Sequence, residues 1–275
     1  MKKTLIFFIF LHFSTFLFAH FYPDTIQGVS VYVYKNIEDD ALNLYVLKSA
    51  NESAPTVVFF FGGGWVRGTV KQFEPHMQYL HDLGLTAIAV DYRVTSRHNS
   101  RPVQSVQDAM NAMIFVKNHA ADLHVDTTKI AAAGGSAGGH LAAATAILKH
   151  YYPKDEQVTP EPDALILFNP VINTMPEGFG RDLMKEDGWV LSPAHHITTN
   201  LPPAIIFHGT ADKTVPFDNI LNFQKKMKAM GNRVEVKSFK ERGHAFFNYG
   251  RNENKDYQAT IVMMHQFLRS IDFVE

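Results

Sequence analysis

Short apolar segments alternate along the chain with longer amphipathic segments of helical length. Strands separated by helices of this length predict a mainly parallel sheet with helices on both faces. The predicted strands are Thr56–Phe61, Thr86–Val90, Lys129–Ala133, Ala164–Asn169, Ala204–His208 and Arg233–Phe239. Helices are predicted near Val70–Leu83, Val103–Ala121, His140–Lys149, Asp218–Met230 and Lys255–Ser270. The pattern therefore indicates an α/β protein.

Two further segments near the N-terminus alternate with the period of a strand. They are Ile26–Tyr34 and Leu42–Leu47, and they predict an antiparallel hairpin at the edge of the sheet. With them the predicted sheet has eight strands. The chain has 275 residues, of which 46% are hydrophobic, enough for one large core. We therefore expect a single domain over residues 20–275.

Residues 1–19 have a different pattern from the rest of the chain. Lys2 and Lys3 precede an almost wholly apolar stretch, Thr4–Phe18, which ends at the small residue Ala19. A basic start, a short apolar run and a small residue are typical of a secretory signal peptide, and they predict a secreted or periplasmic protein. A retained membrane anchor is the alternative, because Leu17 is bulkier than signal cleavage prefers. The chain has no cysteine, so it carries no disulfide.

Charge and histidine spacing exclude several classes of function. The net charge of −1 gives no reason to expect binding to nucleic acid or a stable membrane partner. Fourteen histidines raise the question of a metal, but there is no His-Glu-x-x-His motif. The adjacent residues His195 and His196 point in opposite directions on an extended chain. We therefore expect neither a metal ion nor a cofactor.

Two segments interrupt the alternation of strands and helices. The first is the polar segment Arg93–Pro102, and the second is residues 171–200, which contain glycines, charges and Trp189. Segments this long without periodicity are either functional or disordered. We predict that residues 171–200 form a small lid, in which Val171–Trp189 shapes the acyl or alcohol pocket. An ordinary surface excursion is the alternative.

The segment Gly134–Gly138 has the sequence Gly-Gly-Ser-Ala-Gly and lies between a predicted strand and a predicted helix. Gly-x-Ser-x-Gly in this context is the nucleophile elbow, a sharp turn that lifts the serine hydroxyl above the sheet edge. A tight βα connection or a phosphate cradle would also be rich in glycine. No Gly-Lys-Ser/Thr follows, which disfavours the phosphate cradle. Ser136 is therefore the predicted nucleophile.

An acid and a histidine follow Ser136 in the order that such a site requires. Asp212 comes shortly after the strand Ala204–His208, and His244 comes after the strand Arg233–Phe239. Open α/β sheets place their sites at these carboxyl ends of strands. Glu241 and Asp187 are alternative acids, but Glu241 is too near His244 in sequence. The predicted catalytic residues are Ser136, Asp212 and His244.

Three glycines, Gly62–Gly64, follow the strand Thr56–Phe61. Their backbone N–H groups can approach a ligand because no side chain blocks them. We predict that the amides of Gly63 and Gly64, together with that of Ala137, form an oxyanion hole. A flexible turn is the alternative. Trp65 follows this loop and is predicted to bind substrate, although it could be a core residue.

These motifs resemble those of α/β-hydrolase esterases, near the acetyl-xylan and feruloyl esterases and the hormone-sensitive-lipase-like branch. The matching stretches are Gly62–Trp65, Asp91–Arg93, Gly134–His140, His208–Pro216 and Gly243–Asn248. The resemblance implies the α/β-hydrolase fold and a serine hydrolase site without a cofactor. One position departs from the family, which has histidine where this chain has Phe61. That histidine props the glycine loop in the family, so the departure raises the question of how this loop is held.

The resemblance implies a secreted serine carboxylic ester hydrolase for short-chain or aromatic acyl esters. By analogy, its substrate would be a small-molecule ester or a polysaccharide ester such as an acetylated or feruloylated glycan. A serine peptidase of the same fold is one alternative. A non-catalytic binding module is another, although the complete triad argues against it. These patterns do not determine the oligomeric state.

Overall fold

The structure is a computed structural model that describes residues 26–38 and 40–274. Its centre is one eight-stranded sheet with the strand order β1-β2-β4-β3-β5-β6-β7-β8. Only β2 runs antiparallel to its neighbours β1 and β4, and the pairs from β4 to β8 are parallel. The strands are β1 Ser30–Ile37, β2 Asp40–Leu47, β3 Ala54–Phe60, β4 Thr86–Val90, β5 Val125–Gly135, β6 Ala164–Phe168, β7 Ala204–Gly209 and β8 Val234–Phe239. The predicted α/β class, the eight strands and the edge hairpin are confirmed.

Two strands differ most from their predicted bounds: β1 spans Ser30–Ile37 rather than Ile26–Tyr34, and the start of β5 also differs by four residues. The sequence predicts a strand over Lys129–Ala133, whereas β5 begins at Val125 and ends at Gly135. Asp126, Thr127 and Thr128 near its start are partly or fully exposed, whereas Val125, which pairs with Ala54, is buried. A search for an apolar run detects only the part of a strand that lies in the core, because the exposed extension carries no hydrophobic signal.

Helices cover both faces of the sheet. The α-helices are α1 Glu74–Asp82, α2 Thr95–His98, α3 Pro102–Asn118, α4 Ala120–Leu123, α5 Ala137–Ile147, α6 Arg181–Met184, α7 Phe217–Ala229 and α8 Lys255–Arg269. The 3₁₀ helices are Val70–Phe73, Lys149–Tyr151, Lys185–Gly188, Pro193–His195 and Asn252–Asn254. The single helix predicted near Val70–Leu83 is thus divided into a 3₁₀ turn and α1. Pro75 stands in the first turn of α1, where its fixed φ and missing N–H are tolerated.

The core lies around the middle strands and the helix that follows β5. Strands β4, β6 and β7 are buried along their whole length, and so is every residue of α5. Most residues of α5 are alanine or glycine, which lets its backbone lie close to β3, β5 and β6. The residue before α5 is Ser136, so the core fixes the place where that serine begins its helix.

Residues 171–200 contain only short helical turns, as their lack of periodicity predicts. The Arg101 guanidinium joins this segment to the start of α3 through ion pairs with Glu186 at 3.2 Å and Asp187 at 2.7 Å. In the part of the chain that the structure describes, no helix combines the length and apolar character needed to cross a membrane. The predicted signal peptide, residues 1–19, lies outside the described residues.

Candidate active site

Three sequence-predicted residues meet at the carboxyl edge of the sheet. Ser136 directly follows β5, Asp212 lies in the loop after β7, and His244 lies in the loop after β8. Strands β5 to β8 are parallel neighbours, so the loops that follow them open on the same side. The structure therefore brings together side chains that are up to 108 positions apart.

The backbone turns sharply at Ser136. Its φ of 54° and ψ of −118° are rare for a residue with a side chain. A Cβ at Gly134 would overlap the carbonyl oxygen of Gly138, and one at Gly138 would overlap that of Phe60. Only glycine lets strand and helix approach this closely, which gives the Gly-x-Ser-x-Gly motif its physical basis.

The three side chains form a continuous series of hydrogen bonds. Ser136 Oγ lies 2.8 Å from His244 Nε2, and His244 Nδ1 lies 2.7 Å from Asp212 Oδ2. Both distances are within the range of strong hydrogen bonds. This arrangement can move a proton from the serine hydroxyl to the imidazole while the carboxylate holds the ring.

Asp212 is held as a buried carboxylate. Its Oδ1 accepts hydrogen bonds from the amides of Thr214 and Val215, each at 2.9 Å. Burial disfavours its charge, but the hydrogen bonds from His244 and these amides outweigh burial and lower the pKa of Asp212. Burial also lowers the pKa of His208, which lies 3.4 Å from Asp212 Oδ2 and contacts the Val215 carbonyl. His208 is thus a neutral support beneath the carboxylate.

The alternative acids lie elsewhere. The Glu241 side chain is 81% exposed and lies 3.9 Å from Lys240. Asp187 pairs with Arg101. Neither carboxylate contacts His244 in the described part of the molecule, so Asp212 is the acid that the fold places at the imidazole.

The glycine loop passes beside Ser136. Within the described chain, the amides of Gly63, Gly64 and Ala137 donate to no protein acceptor, whereas the Gly62 amide donates to Gln72 Oε1 at 2.6 Å. Gly63 has a φ of 131°, and a Cβ there would overlap the Arg67 carbonyl oxygen. The loop is thus tightly folded and leaves the three predicted oxyanion amides available.

Gln72 and Tyr92 hold the glycine loop in this chain, which has no histidine at the position of Phe61. The Phe61 ring stacks on the Tyr92 ring with centroids 4.1 Å apart, and the Tyr92 hydroxyl donates to the Phe61 carbonyl at 2.5 Å. Gln72 fixes Gly62 and also donates to Asn248 at 3.0 Å. Sequence reasoning missed Gln72, because nothing in the local pattern links it to a residue 176 positions away.

A cleft of about 690 Å³ opens over Ser136. Its apolar wall includes Phe179 and Leu183 from the predicted lid segment, and Phe247. The prediction that Trp65 lines this pocket is wrong. Trp65 is 1% exposed, and its indole packs edge-on against His140, behind the cleft. Phe179 and Phe247 are the phenylalanines of the cleft wall, and the Phe179 ring packs against Trp65 at a centroid distance of 6.1 Å.

Asn169 is a second residue that sequence reasoning missed. It directly follows β6, at the same edge of the sheet as Ser136, and it lines the cleft. Its Oδ1 accepts a hydrogen bond from the Ala245 amide at 2.9 Å, which fixes the loop that carries His244. Its position, a polar residue at the carboxyl end of a buried strand, was the sequence signal that could have placed it at the site.

A metal site would need several histidine or carboxylate side chains close together within residues 26–38 and 40–274. This part of the chain holds no group of three or more histidine, aspartate or glutamate side chains suited to a metal ion. His195 instead contacts Ser192 at 2.8 Å, and His196 contacts the Trp189 carbonyl at 2.9 Å.

Comparison with known proteins gives two family matches and a set of curated relatives. Residues 42–176 match the family model described as BD-FAE, and residues 184–271 match the dienelactone hydrolase family. The chain is 28% identical to carboxylesterase NlhH of Mycobacterium tuberculosis over 78% of this chain and 74% of that protein. It is 27% identical to the probable carboxylic ester hydrolase LipM of the same species, over 67% of this chain. It spans about half of that protein, 47%.

Solved structures give a closer match. Esterase 2 of Thermogutta terrifontis, in a form phosphoramylated by tabun, is 44% identical with a TM-score of 0.87. The match covers 92% of this chain and 98% of that one. Its propionate-bound form is 43% identical with the same TM-score, over 92% and 97% of the two chains. Given this identity over nearly the whole fold, the chain belongs to the carboxylic ester hydrolases of the α/β-hydrolase fold.

Proposed function

We propose that this protein hydrolyses carboxylic esters with Ser136 as nucleophile, His244 as general base and Asp212 as its orienting acid. The observation that carries the proposal is the series of contacts at 2.8 Å and 2.7 Å between these side chains. Ser136 Oγ attacks the ester carbonyl carbon while its proton passes to His244 Nε2. The imidazolium then protonates the leaving alkoxide, and an acyl-enzyme remains.

Water completes the cycle by the same route in reverse. His244 Nε2 takes a proton from the attacking water and returns it to Ser136 Oγ as the bond between Oγ and the acyl carbon breaks, so the acyl group leaves as a carboxylic acid. Asp212 keeps the Nδ1 proton of His244 in place and stabilises the imidazolium at each step. Its lowered pKa supports this role, because the carboxylate then stays ionised at neutral pH.

The amides of Gly63, Gly64 and Ala137 are the proposed oxyanion hole. Support comes from their position beside Ser136 and from the absence of any other acceptor for them within the described chain. Amide donors that are fixed before the reaction stabilise the developing negative charge without the cost of reorganisation. Gln72, which holds Gly62, and Asn169, which holds Ala245, are proposed positioning residues.

We propose short acyl groups as the preferred substrates. Phe179 and Leu183 narrow the cleft from the segment 171–200, which would act as a small lid. The Thermogutta esterase has been solved with propionate and with butyrate bound. An aromatic acyl group is a second permitted class, because Phe179 offers a ring for stacking.

Export and a polymeric substrate form a finer proposal. The basic and apolar pattern of residues 1–19 favours secretion or delivery to the periplasm. An exported esterase would meet acylated polysaccharides or their fragments. Incubation with acetylated and feruloylated glycans, followed by assay for released acetate or ferulate, tests this. Release of neither acid would restrict the proposal to small-molecule esters.

A fluorophosphonate probe tests the central proposal. We expect the folded protein to be labelled at Ser136 and the Ser136→Ala variant to remain unlabelled. Parallel assays with 4-nitrophenyl esters and dipeptidyl amides separate an esterase from a peptidase of the same fold. Folded protein that is neither labelled nor active on any ester would instead indicate a binding module.

A further inference from the structure

Two arginines at the catalytic cleft have no acidic partner. Arg67 and Arg251 line the cleft over Ser136, and both side chains are exposed. Within the described residues, neither guanidinium lies within 4.0 Å of a carboxylate. The described residues that line this cleft include no aspartate or glutamate, so its wall carries an uncompensated positive charge.

Of the seven arginines outside this cleft, five form ion pairs with carboxylates within the described residues, and Arg181 and Arg269 do not. Arg93 pairs with Asp108, Arg97 with Asp91, and Arg242 with Asp256. The net charge of the protein is −1, so the positive cleft does not follow from a general excess of basic residues. Since a guanidinium matches the planar geometry of a carboxylate, two guanidinium groups without a carboxylate partner in the wall of this cleft point to an anionic ligand.

The side-chain contact of Arg251 indicates which part of an ester it meets. Arg251 Nη1 donates to the His244 carbonyl at 3.4 Å, so this guanidinium lies beside the loop that carries the general base. His244 protonates the leaving alkoxide, so the alcohol part of the ester must lie on its side of the carbonyl. Arg67 belongs to the glycine loop, where its amide contacts the Gly63 carbonyl at 3.2 Å.

A second groove adjoins the catalytic cleft at Arg251. It has a volume of about 800 Å³ and shares Gln72 and Arg251 with the catalytic cleft. Glu74 and Asp82 line this groove together with Lys71, so it carries charges of both signs, whereas the described lining of the catalytic cleft contains arginines and no carboxylate. The favourable place for an anion is therefore the catalytic cleft, up to its junction with the groove.

Resting on the proposed function, we propose that the enzyme selects esters whose alcohol part carries a carboxylate. Arg67 and Arg251 are the specificity-determining residues. The substrate class is an acylated hydroxy acid or an acylated sugar acid. The exposure of both arginines implies a moderate selectivity that salt weakens, because exposed charge pairs are screened.

Paired substrates provide the test. 4-Acetoxybenzoate carries the carboxylate on its leaving alcohol, and its methyl ester is the neutral counterpart. For each enzyme we take kcat/KM for the charged ester divided by kcat/KM for the neutral ester. Dividing the ratio of a variant by the wild-type ratio then removes the difference in chemical reactivity between the two esters. We expect this ratio to fall about 5-fold in Arg67→Gln and in Arg251→Gln, and roughly 20-fold in the double variant.

Three controls make the result decisive. Lys228→Gln removes a positive charge from α7, outside the cleft, and should leave the ratio unchanged. About 0.5 M salt should reduce the wild-type preference. Mono-4-nitrophenyl glutarate, compared with 4-nitrophenyl butyrate, places the charge on the acyl side, where the variants should have little effect.

Each contrary outcome has a distinct meaning. Equal ratios in wild type and both arginine variants, with both esters still hydrolysed, would overturn the inference and leave the esterase proposal intact. A loss confined to the glutarate ester would overturn the assignment to the alcohol side. Wild-type enzyme that hydrolyses neither the charged nor the neutral esters would refute the proposed function itself.

Discussion

The catalytic edge of the sheet and the segment of residues 171–200 face the same cleft but are built differently. Ser136, Asp212 and His244 follow regular strands, and the Asp212 side chain is wholly buried. The segment 171–200 has only short turns, its Phe179 and Leu183 are half-buried, and its Trp189 is 54% exposed. One wall is fixed by the core, whereas the other consists mainly of loop.

This contrast separates chemistry from selectivity. Proton transfer needs atoms held within hydrogen-bond distance, which buried strands and backbone amides provide. The size of an accepted acyl group depends instead on which side chains project from the opposite wall. We therefore expect substitutions at the catalytic edge to change the rate for every ester, and substitutions in the segment to change the order of preference among esters.

The nucleophile gives the largest expected effect. Ser136→Ala should lower kcat on 4-nitrophenyl acetate by roughly 10⁵–10⁶, because the covalent route is lost. Circular dichroism should show an unchanged fold, since the Ala137–Ile147 helix and its packing remain. Ser30→Ala, at an exposed position of β1, serves as the control. Near-wild-type turnover by Ser136→Ala would refute the proposed role of this serine.

The acid gives the next largest effect. Asp212→Asn should lower kcat on the order of 10⁴, because an amide at this position favours the wrong tautomer of His244. The exposed Glu241 is the matched control, and Glu241→Gln should stay within about twofold of wild type. Steady-state assays of both variants decide the matter. The reverse order of effects would mean that the acid has been wrongly assigned.

A buried histidine links the two walls. His140 Nε2 contacts the Leu191 carbonyl at 2.7 Å, which ties α5 to the segment 171–200. Burial lowers the pKa of His140 to about 4 from 6.5, so the folded state binds fewer protons than the unfolded state between these values. The free energy of unfolding therefore decreases as pH falls from 6.5 towards about 4.

Replacing His140 tests this link. His140→Leu should cost about 1–3 kcal/mol at pH 7.5, because the Leu191 carbonyl loses its donor. The variant lacks the loss of stability that protonation of His140 causes in acid. The difference in the free energy of unfolding between wild type and variant should therefore narrow by about 2 kcal/mol at pH 5. Urea unfolding at both pH values measures this, with the exposed His119→Gln as control. If this difference in the free energy of unfolding were larger at pH 5, His140 would not be buried in its neutral form.

The segment wall gives the smallest effect on rate and the clearest one on selectivity. Wild-type kcat/KM should favour acetate over octanoate among 4-nitrophenyl esters, because Phe179 limits the cleft. Phe179→Ala should raise the ratio of kcat/KM for the octanoate ester to kcat/KM for the acetate ester about 10-fold. Each methylene that gains an apolar contact is worth up to about 0.8 kcal/mol.

Trp189 provides the control for that change. It lies in the same segment, is exposed, and does not line the cleft, so Trp189→Ala should leave the preference unaltered. In the wild type, a value of kcat/KM that rises steadily through eight carbons would indicate a long acyl tunnel. That result would make the protein a lipase and remove the proposed role of Phe179.

The sequence by itself determined most strands and helices of the fold. It also indicated which polar residues meet at the catalytic edge. Strand and helix periods are local properties, and Gly134–Gly138 encodes a turn that only glycines permit. Asp212 and His244 could be predicted because parallel strands end at one edge, which makes sequence order a guide to position. Even so, the start of β5 was not predicted, because the partly or fully exposed polar residues Asp126, Thr127 and Thr128 separate Val125 from the apolar run.

Only the tertiary structure decided which side chains surround the reacting atoms. Trp65 follows the glycine loop in sequence, yet its indole lies behind the cleft and Phe179 takes the wall. Gln72 and Asn248 meet across 176 positions, and Arg67 and Arg251 converge on the same cleft from distant loops. Such contacts depend on how whole layers pack, and packing sums weak interactions over the whole domain, so no local sequence pattern records them.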